Sequence, residues 1–372
     1  MYLIDFINNN KDWKLKLKQP PYNLKTVKND EIHTNYYMFV YNLFDSDFTN
    51  PIVKECRGIV LEIVNGKVVG VVNYAMDKFF NYGDSNCDKI DWSTAKVQEK
   101  LDGQLIRVSR YKGELIWCTN GAFGLNTPLD YTDDKIKNYK ELVENSLIND
   151  WVNNIPEGWT VFLELTSPYN RIICSYDKIK MWLLGARDNN LKEVKRETVK
   201  ELFNCPLDIP QVYDLHDIDS TLKMLETFNG KEQEGVVVCD DNFNRIKIKS
   251  DDYLRIKYFL GENGITNDKI FESVLKDETD DLLEFDSNLE DKINSVKEEL
   301  VLFKKLINEY HTKAINLLNS CENRKEYALK VLQTKQNNLW FDLLRENCYD
   351  FLLGKIKFDY SKFVETLNKL KD

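Results

Sequence analysis

The sequence predicts an α+β protein: an N-terminal mixed domain rich in antiparallel strands, expected over residues 1–255, then an all-α C-terminal domain over 256–372. Three observations predict it. Two β-branched runs flank Asn65-Gly66 in RGIVLEIVNGKVVGVV (57–72), the strongest short-range hairpin signal. A second pair of strand-like runs, LIRVSRYKGELIWCT (105–119), turns at Lys112-Gly113. Beyond about residue 255 glycine becomes rare, proline vanishes, and segments such as DKINSVKEELVLFKKLINEYHTKAINLLNS (291–320) repeat apolar residues near every 3.6 positions.

Taken in order, residues 1–50 read as a short amphipathic helix, then loops and aromatic-rich segments around Tyr36, Tyr37, Phe39, Tyr41 and Phe44. The two hairpins follow. A helical stretch is expected around 131–154, then strands at WTVFLELTS (159–167) and IKMWLLGARD (179–188). Residues 192–229 read as largely helical, and EQEGVVVCDDNFNRIKIKS (232–250) as two strands joined by an Asp/Asn turn. No Pro- or Ser-rich linker, repeat or low-complexity tract interrupts the chain.

Composition narrows the function classes. Hydrophobic content of 42% and charged content of 30% are ordinary for a globular protein. No run approaches the ~18 apolar residues of a spanning helix, so a cytoplasmic protein with no membrane partner is expected. The 8 cysteines form no CxxC pair and there are only 3 histidines, which argues against zinc or disulfide frameworks. Any metal is expected to be a hard cation held by carboxylates and phosphates. The net charge of −10 argues against a broad nucleic-acid binder but allows a local basic groove.

The chemistry gathers around Lys100 in EKLDGQL (99–105). A lysine before an Asp-Gly turn is either a solvated charge at a hairpin edge or a nucleophile. With an ordinary pKa of about 10.4 its amine needs nearby cations to lose its proton. NRIKIKS (244–250) supplies candidates, because Arg245, Lys247 and Lys249 share one strand face, about 7 Å apart. They read either as the guard of an edge strand or as a phosphate-gripping rail. Glu164 in VFLELTSP and Glu234 before GVVV are either solvated strand residues or contacts for ribose hydroxyls and Mg²⁺. Arg57 in ECRGIV, and Lys78 with Phe79 and Phe80 in MDKFFNYGD, complete an ordered set.

That set resembles the covalent nucleotidyltransferases, and most closely the bacteriophage RNA ligase 1 family of tRNA-repair ligases. The marks are ECRGIV, KFFNYGD, EKLDGQL, FLELTSPYNRI, IKMWLLGARD, EGVVV and KIKSDDY, spread over about residues 35–260. The resemblance implies an ATP-grasp-like nucleotidyltransferase domain and an ATP-dependent RNA ligase. Lys100 would carry AMP, pass it to an RNA 5′-phosphate, and a 3′-hydroxyl would then displace it. Lys247 and Lys249 would act in catalysis at the α-phosphate, with Arg57 and Lys78 around the β- and γ-phosphates. Glu164 would contact the ribose, and Glu234 the metal and nucleotide. Gly103 would let backbone approach the nucleotide, with Phe80 and Tyr253 in or beside its pocket.

Asp280 and Asp281 in ETDDLLEF resemble the family's acidic metal-site pair, or are simply acids at a helix N-terminus. The implied cofactors are ATP and Mg²⁺ or Mn²⁺. The implied partners are RNA ends, including a nicked tRNA anticodon loop, and an end-healing kinase-phosphatase, with the ligase a monomer. Thr119-Asn120 in WCTNGAFG stands where the family commonly has a lysine, and Gln104 where relatives have serine. A DNA ligase, a capping enzyme and a non-catalytic RNA-end binder are the alternatives; the helical tail, rather than an OB-fold, counts against the first two.

Overall fold

The computed structural model describes residues 1–28, 33–42, 46–133, 136–146, 150–170, 172–259, 265–276, 278–285, 287–321, 326, 329–330 and 359–371. Phe44 lies outside them. The chain divides into two compact units, Met1–Leu260 and Gly261–Asp372. Among the described residues no helix is long and apolar enough to cross a membrane.

The first unit begins with α1 (Tyr2–Asn9) and α2 (Trp13–Lys16). Leu3 and Ile7, one helical turn apart, bury the inner face of α1. Its first N–H groups are satisfied from elsewhere: Tyr2 and Leu3 donate to the buried Glu55 carboxylate at 3.0 and 2.9 Å. Then come β1 (Lys25–Lys28), β2 (Tyr36–Val40), α3 (Pro51–Glu55), β3 (Arg57–Val64) and β4 (Lys67–Asn73). They form a four-stranded sheet in the order β1-β2-β3-β4. Asn65 and Gly66 take φ of 50° and 76°, the double left-handed turn that the Asn-Gly pair favours. The aromatic-rich stretch contains β2, whose Tyr36 and Phe39 are buried.

Next are β5 (Phe80–Asn81), β6 (Lys96–Lys100), β7 (Gln104–Tyr111), β8 (Glu114–Cys118), β9 (Pro128–Asp133), β10 (Ile136–Asn138) and α4 (Tyr139–Asn145). They are followed by β11 (Thr160–Thr166), β12 (Lys180–Arg187), β13 (Glu193–Val194), α5 (Arg196–Phe203), β14 (Val212–Tyr213) and α6 (Ile218–Leu225). The unit closes with β15 (Gly235–Cys239), β16 (Arg245–Lys249) and α7 (Asp251–Phe259). Since α7 runs past residue 255, the expected boundary falls inside a helix.

Two five-stranded sheets result, ordered β13-β12-β11-β7-β8 and β14-β6-β15-β16-β5. The first covers a core that includes Ile106, Val108, Val161, Leu163, Leu165 and Leu183. The second packs Val97, Val236, Val238, Ile246 and Ile248 against Leu225 and Phe228. Each such side chain contributes about 1.5–3 kcal/mol on burial, which fixes the strand faces and hence where the polar residues point.

Three expectations change. Lys100 is not at a hairpin: β6 and β7 lie in different sheets, with buried Leu101 and Asp102 making the passage between them. Residues 128–138 form the antiparallel pair β9–β10 before α4 begins. Asn138 marks that start, since its side chain accepts from Glu141 N at 3.0 Å. Over 192–229 the helices α5 and α6 are separated by β14 and a stretch containing Pro206 and Pro210, which removes backbone donors from any continuous helix.

The second unit contains α8 (Asn267–Lys276), α9 (Thr279–Phe285), α10 (Glu290–Asn319) and α11 (Tyr360–Lys371). Phe271, Phe303 and Phe363 are fully buried there, with ring centroids 4.7 Å apart for Phe271–Phe363 and 5.1 Å for Phe303–Phe363.

Candidate active site

Strand register brings the lysines together. Gly235 of β15 faces Lys100 of β6 on one side and Lys249 of β16 on the other. Glu234, 3% exposed, lies between the two lysines: Lys100 Nζ donates to Oε2 at 2.6 Å, and Lys249 Nζ lies 3.1 Å from Oε1. Burial opposes the Glu234 charge, but the two ammonium groups outweigh it and hold the carboxyl below its usual range. Lys247 stands two residues before Lys249 on the same strand face, while Ile246 and Ile248 are buried in the core. Because β5 pairs beyond it, β16 is not an edge strand.

Arg245 leaves the expected three-cation rail. Its guanidinium pairs with Glu193 at 2.5 Å, and Glu193 also pairs with Arg187 at 3.1 Å. Arg187 in turn lies 3.8 Å from Asp77. This alternating chain fastens β16 to β13 and β12, so Arg245 is spent on joining the two five-stranded sheets.

The aspartate after Lys100 has a structural task that its local sequence does not reveal. Asp102 Oδ2 accepts from the backbone N–H groups of Ile173 and Cys174 at 2.9 and 2.8 Å. Oδ1 accepts from the Tyr253 hydroxyl at 2.9 Å, and the Asp102 N–H donates to Tyr176 Oη at 2.9 Å. The turn after Lys100 is therefore tied to α7 and to the segment after FLELTSP. Tyr253, 2% exposed, is held in this network. Gly103 makes its close approach to protein: a Cβ there would lie 2.4 Å from the Leu165 carbonyl oxygen of β11.

Glu164, half-buried on β11, sits opposite Leu105 of β7 and Trp182 of β12. Burial raises its carboxyl to about 8; Lys100 and Arg57 pull it down, while Glu234 and Asp102 push it up. These mutual influences place Arg57, Lys100, Asp102, Glu164 and Glu234 in one electrostatic neighbourhood. Arg57 starts β3, donates to the Asp77 carbonyl at 3.5 Å, and lies over the Phe79 ring at 5.3 Å. Lys78 sits among Phe48, Tyr41 and Phe80, its Nζ 4.3, 5.0 and 5.4 Å from their centroids. Phe80 itself is 5% exposed and packs edge-on to Phe48. Its ring is committed to the Lys78 pocket and the core.

Asp280 and Asp281 occupy the first turn of α9 in the second unit, with Asp281 buried. Among the described residues no three His, Cys, Asp or Glu side chains gather to hold a metal ion. Among these residues a protein-only metal centre does not fit. The donors present, Glu164 and Glu234, suit a hard cation completed by phosphate and water oxygens.

Sequence reasoning missed Arg107, Tyr176 and the Asp77–Arg187–Glu193–Arg245 chain. Arg107 carried one signal, a charged residue within the apolar run LIRVS, but its burial depends on a second sheet folding over it.

Residues 55–254 match the RNA ligase family of the bacteriophage RNA ligase 1 type. A protein of Autographa californica nuclear polyhedrosis virus, named for polynucleotide kinase and RNA ligase activities, is 30% identical in an alignment 270 residues long that covers 65% of this chain. The chain spans about a third of that relative's length, 36%. A solved archaeal ATP-dependent RNA ligase is similar with a TM-score of 0.45 at 12% identity, over 86% of each chain. A Naegleria gruberi RNA ligase variant solved with ATP and Mn gives 0.35 at 14% identity, over 43% of this chain and 51% of that one.

Proposed function

Since the chain belongs to the RNA ligase family, we propose that it joins RNA ends at the expense of ATP, with Lys100 as the residue that carries AMP. The observation that carries this reading is that Lys100 and Lys249 share the buried Glu234, with Glu164 and Arg57 in the same neighbourhood.

Lys100 Nζ, deprotonated, attacks the α-phosphorus; an N–P bond forms and the bond to pyrophosphate breaks. The second amine proton leaves to solvent or phosphate, giving a lysyl-adenylate. An RNA 5′-phosphate oxygen then attacks the same phosphorus, returning lysine and forming an adenylated end. Finally the RNA 3′-hydroxyl attacks the 5′-phosphorus and AMP departs. Each step is an in-line displacement, so the protein contributes orientation and charge. Glu234 orients Lys100, Lys249 and Lys247 draw the α-phosphate, and Glu164 holds the ribose. Arg57 and Lys78 take the phosphate tail. Mg²⁺ or Mn²⁺, held by nucleotide oxygens with Glu164 or Glu234, would neutralise phosphate charge.

RNA ends are the substrate class, and a nicked anticodon loop is the first candidate to try. The viral relative named for both activities supports a link to an end-healing kinase. The net charge of −10 means that RNA is gripped by few phosphate contacts, so its affinity should fall with salt on a modest slope.

The deciding experiment incubates the chain with labelled ATP and Mg²⁺, then with 5′-phosphorylated RNA. A covalent AMP adduct, absent in Lys100→Ala, and a sealed RNA are expected. An adduct surviving that substitution removes Lys100 from the role. Preferential joining of nicked DNA, a GTP adduct, or RNA binding without sealing would favour the other readings.

A further inference from the structure

Arg107 is 0% exposed on β7, where it faces Phe162 of β11 and Cys118 of β8. Its Nη1 donates to the Gly58 carbonyl at 2.8 Å and its Nη2 to the Thr119 carbonyl. Its buried Nε has no partner. Among the described residues no carboxylate pairs with it; its titratable neighbours are the Cys118 thiol, which burial pushes up to about 11 and so keeps neutral, and Arg57. Burial lowers the guanidinium to about 10, so it remains charged at neutral pH.

Such a group needs an explanation. A buried cation without a counter-ion is strongly unfavourable, and two bonds to neutral carbonyls offset only part of that. Joining two carbonyls requires donors, not charge; an amide would serve. The location supplies the reason. The Gly58 carbonyl belongs to the residue after Arg57, and the Thr119 carbonyl to the residue before Asn120. The segments are in tight contact, since a Cβ on Gly58 would lie 2.4 Å from Asn120 O and 2.7 Å from Arg107 Nη2. The buried Asn120 Oδ1 is also without a partner. Arg107 thus fixes the backbone that presents Arg57 and adds a second positive charge behind it, unscreened by water.

We propose that Arg107 is a positioning residue for the nucleotide's polyphosphate tail, which it serves by clamping Arg57-Gly58 to Thr119-Asn120 and by adding uncompensated positive charge to Arg57. This rests on reading the site as an ATP site, and its signature is a dependence on the number of phosphates. A residue that only maintained the fold would affect AMP and ATP alike.

The test measures ATP, ADP and AMP affinity for the full chain in a Lys100→Ala background, which prevents adenylyl transfer. Arg107→Gln should weaken ATP at least tenfold, ADP less, and AMP within twofold. Arg107→Lys, which keeps the charge but not both carbonyl bonds, should fall between. Equal weakening of all three nucleotides, or no change in a folded variant, overturns the proposal. Should Arg107→Gln not fold, Arg107→Lys and a pyrophosphate titration of the unsubstituted chain carry the test. No rise in melting temperature with pyrophosphate would then count against it. A parent chain that binds neither ATP nor AMP overturns the nucleotide reading itself, whereas intact binding with an unmoved ATP/AMP ratio overturns only the role of Arg107.

Discussion

On the β6–β15–β16 side of the site, Lys100 and Lys249 share one buried carboxylate, Glu234. On the β3–β7 side, Arg57 and Arg107 lean on carbonyl oxygens and the Phe79 ring, with no ion pair among the described residues. The lysine side is only partly neutralised, one carboxylate against two ammonium groups, so on the proposed reading an incoming α-phosphate competes with Glu234 for ammonium protons. The arginine side keeps an open positive field. Both sides suit an anion; on the proposed reading one exchanges partners during the reaction and the other attracts the charged tail before it. Substitutions should therefore do different damage on the two sides.

The largest effect is expected at Glu234. Glu234→Gln leaves two ammonium groups competing for one neutral amide in a buried setting, and breaking such a pair costs about 3–5 kcal/mol. Urea unfolding should show a loss near ~3 kcal/mol, and adduct formation should fall at least ~100-fold with the orientation of Lys100 lost. Lys249→Met should lose less, because Glu234 retains Lys100. If the two variants were equally stable, the shared carboxylate would not be the anchor of this side.

Next in size is the clasp beneath Lys100. Asp102→Ala strips hydrogen bonds from two backbone N–H groups and the Tyr253 hydroxyl, for an expected loss of ~2–3 kcal/mol. Tyr253→Phe removes only one and should lose ~1 kcal/mol. A double-mutant cycle should return a coupling of ~1 kcal/mol; strict additivity would mean that Tyr253 does not hold Asp102.

A smaller loss is expected behind the lysine side, where Glu193 bridges Arg187 and Arg245. Glu193→Gln should lower stability by ~1–2 kcal/mol. Adduct formation should slow less than in Glu234→Gln, since Lys247 and Lys249 keep their strand. A fall as deep as that of Glu234→Gln would show that the fastener also sets the lysine geometry.

What could be read in the sequence follows the range of the forces involved. The hairpins at Asn65-Gly66 and Lys112-Gly113 depend on left-handed turn residues two positions wide, and both form with φ of about +50° to +82°. The turn joining β15 to β16 is similarly local: Asp240 accepts from the N–H groups of Asn242 and Asn244 at 2.9 and 3.0 Å. Lys100 was legible as a candidate because Asp-Gly follows it. That β6 and β7 part into different sheets was not, since a strand-turn-strand pattern looks the same either way. Arg245 and Lys247 look equivalent along β16, and only the distant Glu193 distinguishes them. Arg107 stands out locally only as a charge within the apolar run LIRVS, and its burial depends on residues distant in the sequence, at Gly58.

The smallest effect, and the most diagnostic of how the two sides meet, concerns Glu164. Its carboxyl is held near 8 by burial against the pull of Lys100 from one side and Arg57 from the other. Because this value lies above the ordinary carboxylate range, the folded chain binds a proton that the unfolded chain has already released. Stability must then fall as pH rises from the unfolded value, near 4.5, through about 8, the reverse of a salt-bridged acid. One unit of such a shift corresponds to ~1.4 kcal/mol, but Glu164 is only half-buried and solvent screens its charge, so a decline of only ~1–2 kcal/mol between pH 5 and 8 is expected from this group. Glu164→Gln should remove that decline while leaving the acid side of the curve in place. The nucleotide should act on the same group: its phosphates compete for the lysine and arginine charge that lowers the Glu164 value, and its ribose hydroxyls donate to the ionised form. AMP affinity should change across pH 6–8 in the parent chain and stay flat in Glu164→Gln. A parent curve that is flat in both stability and affinity would show that Glu164 is ionised throughout, and that solvent rather than the two cationic sides governs its charge.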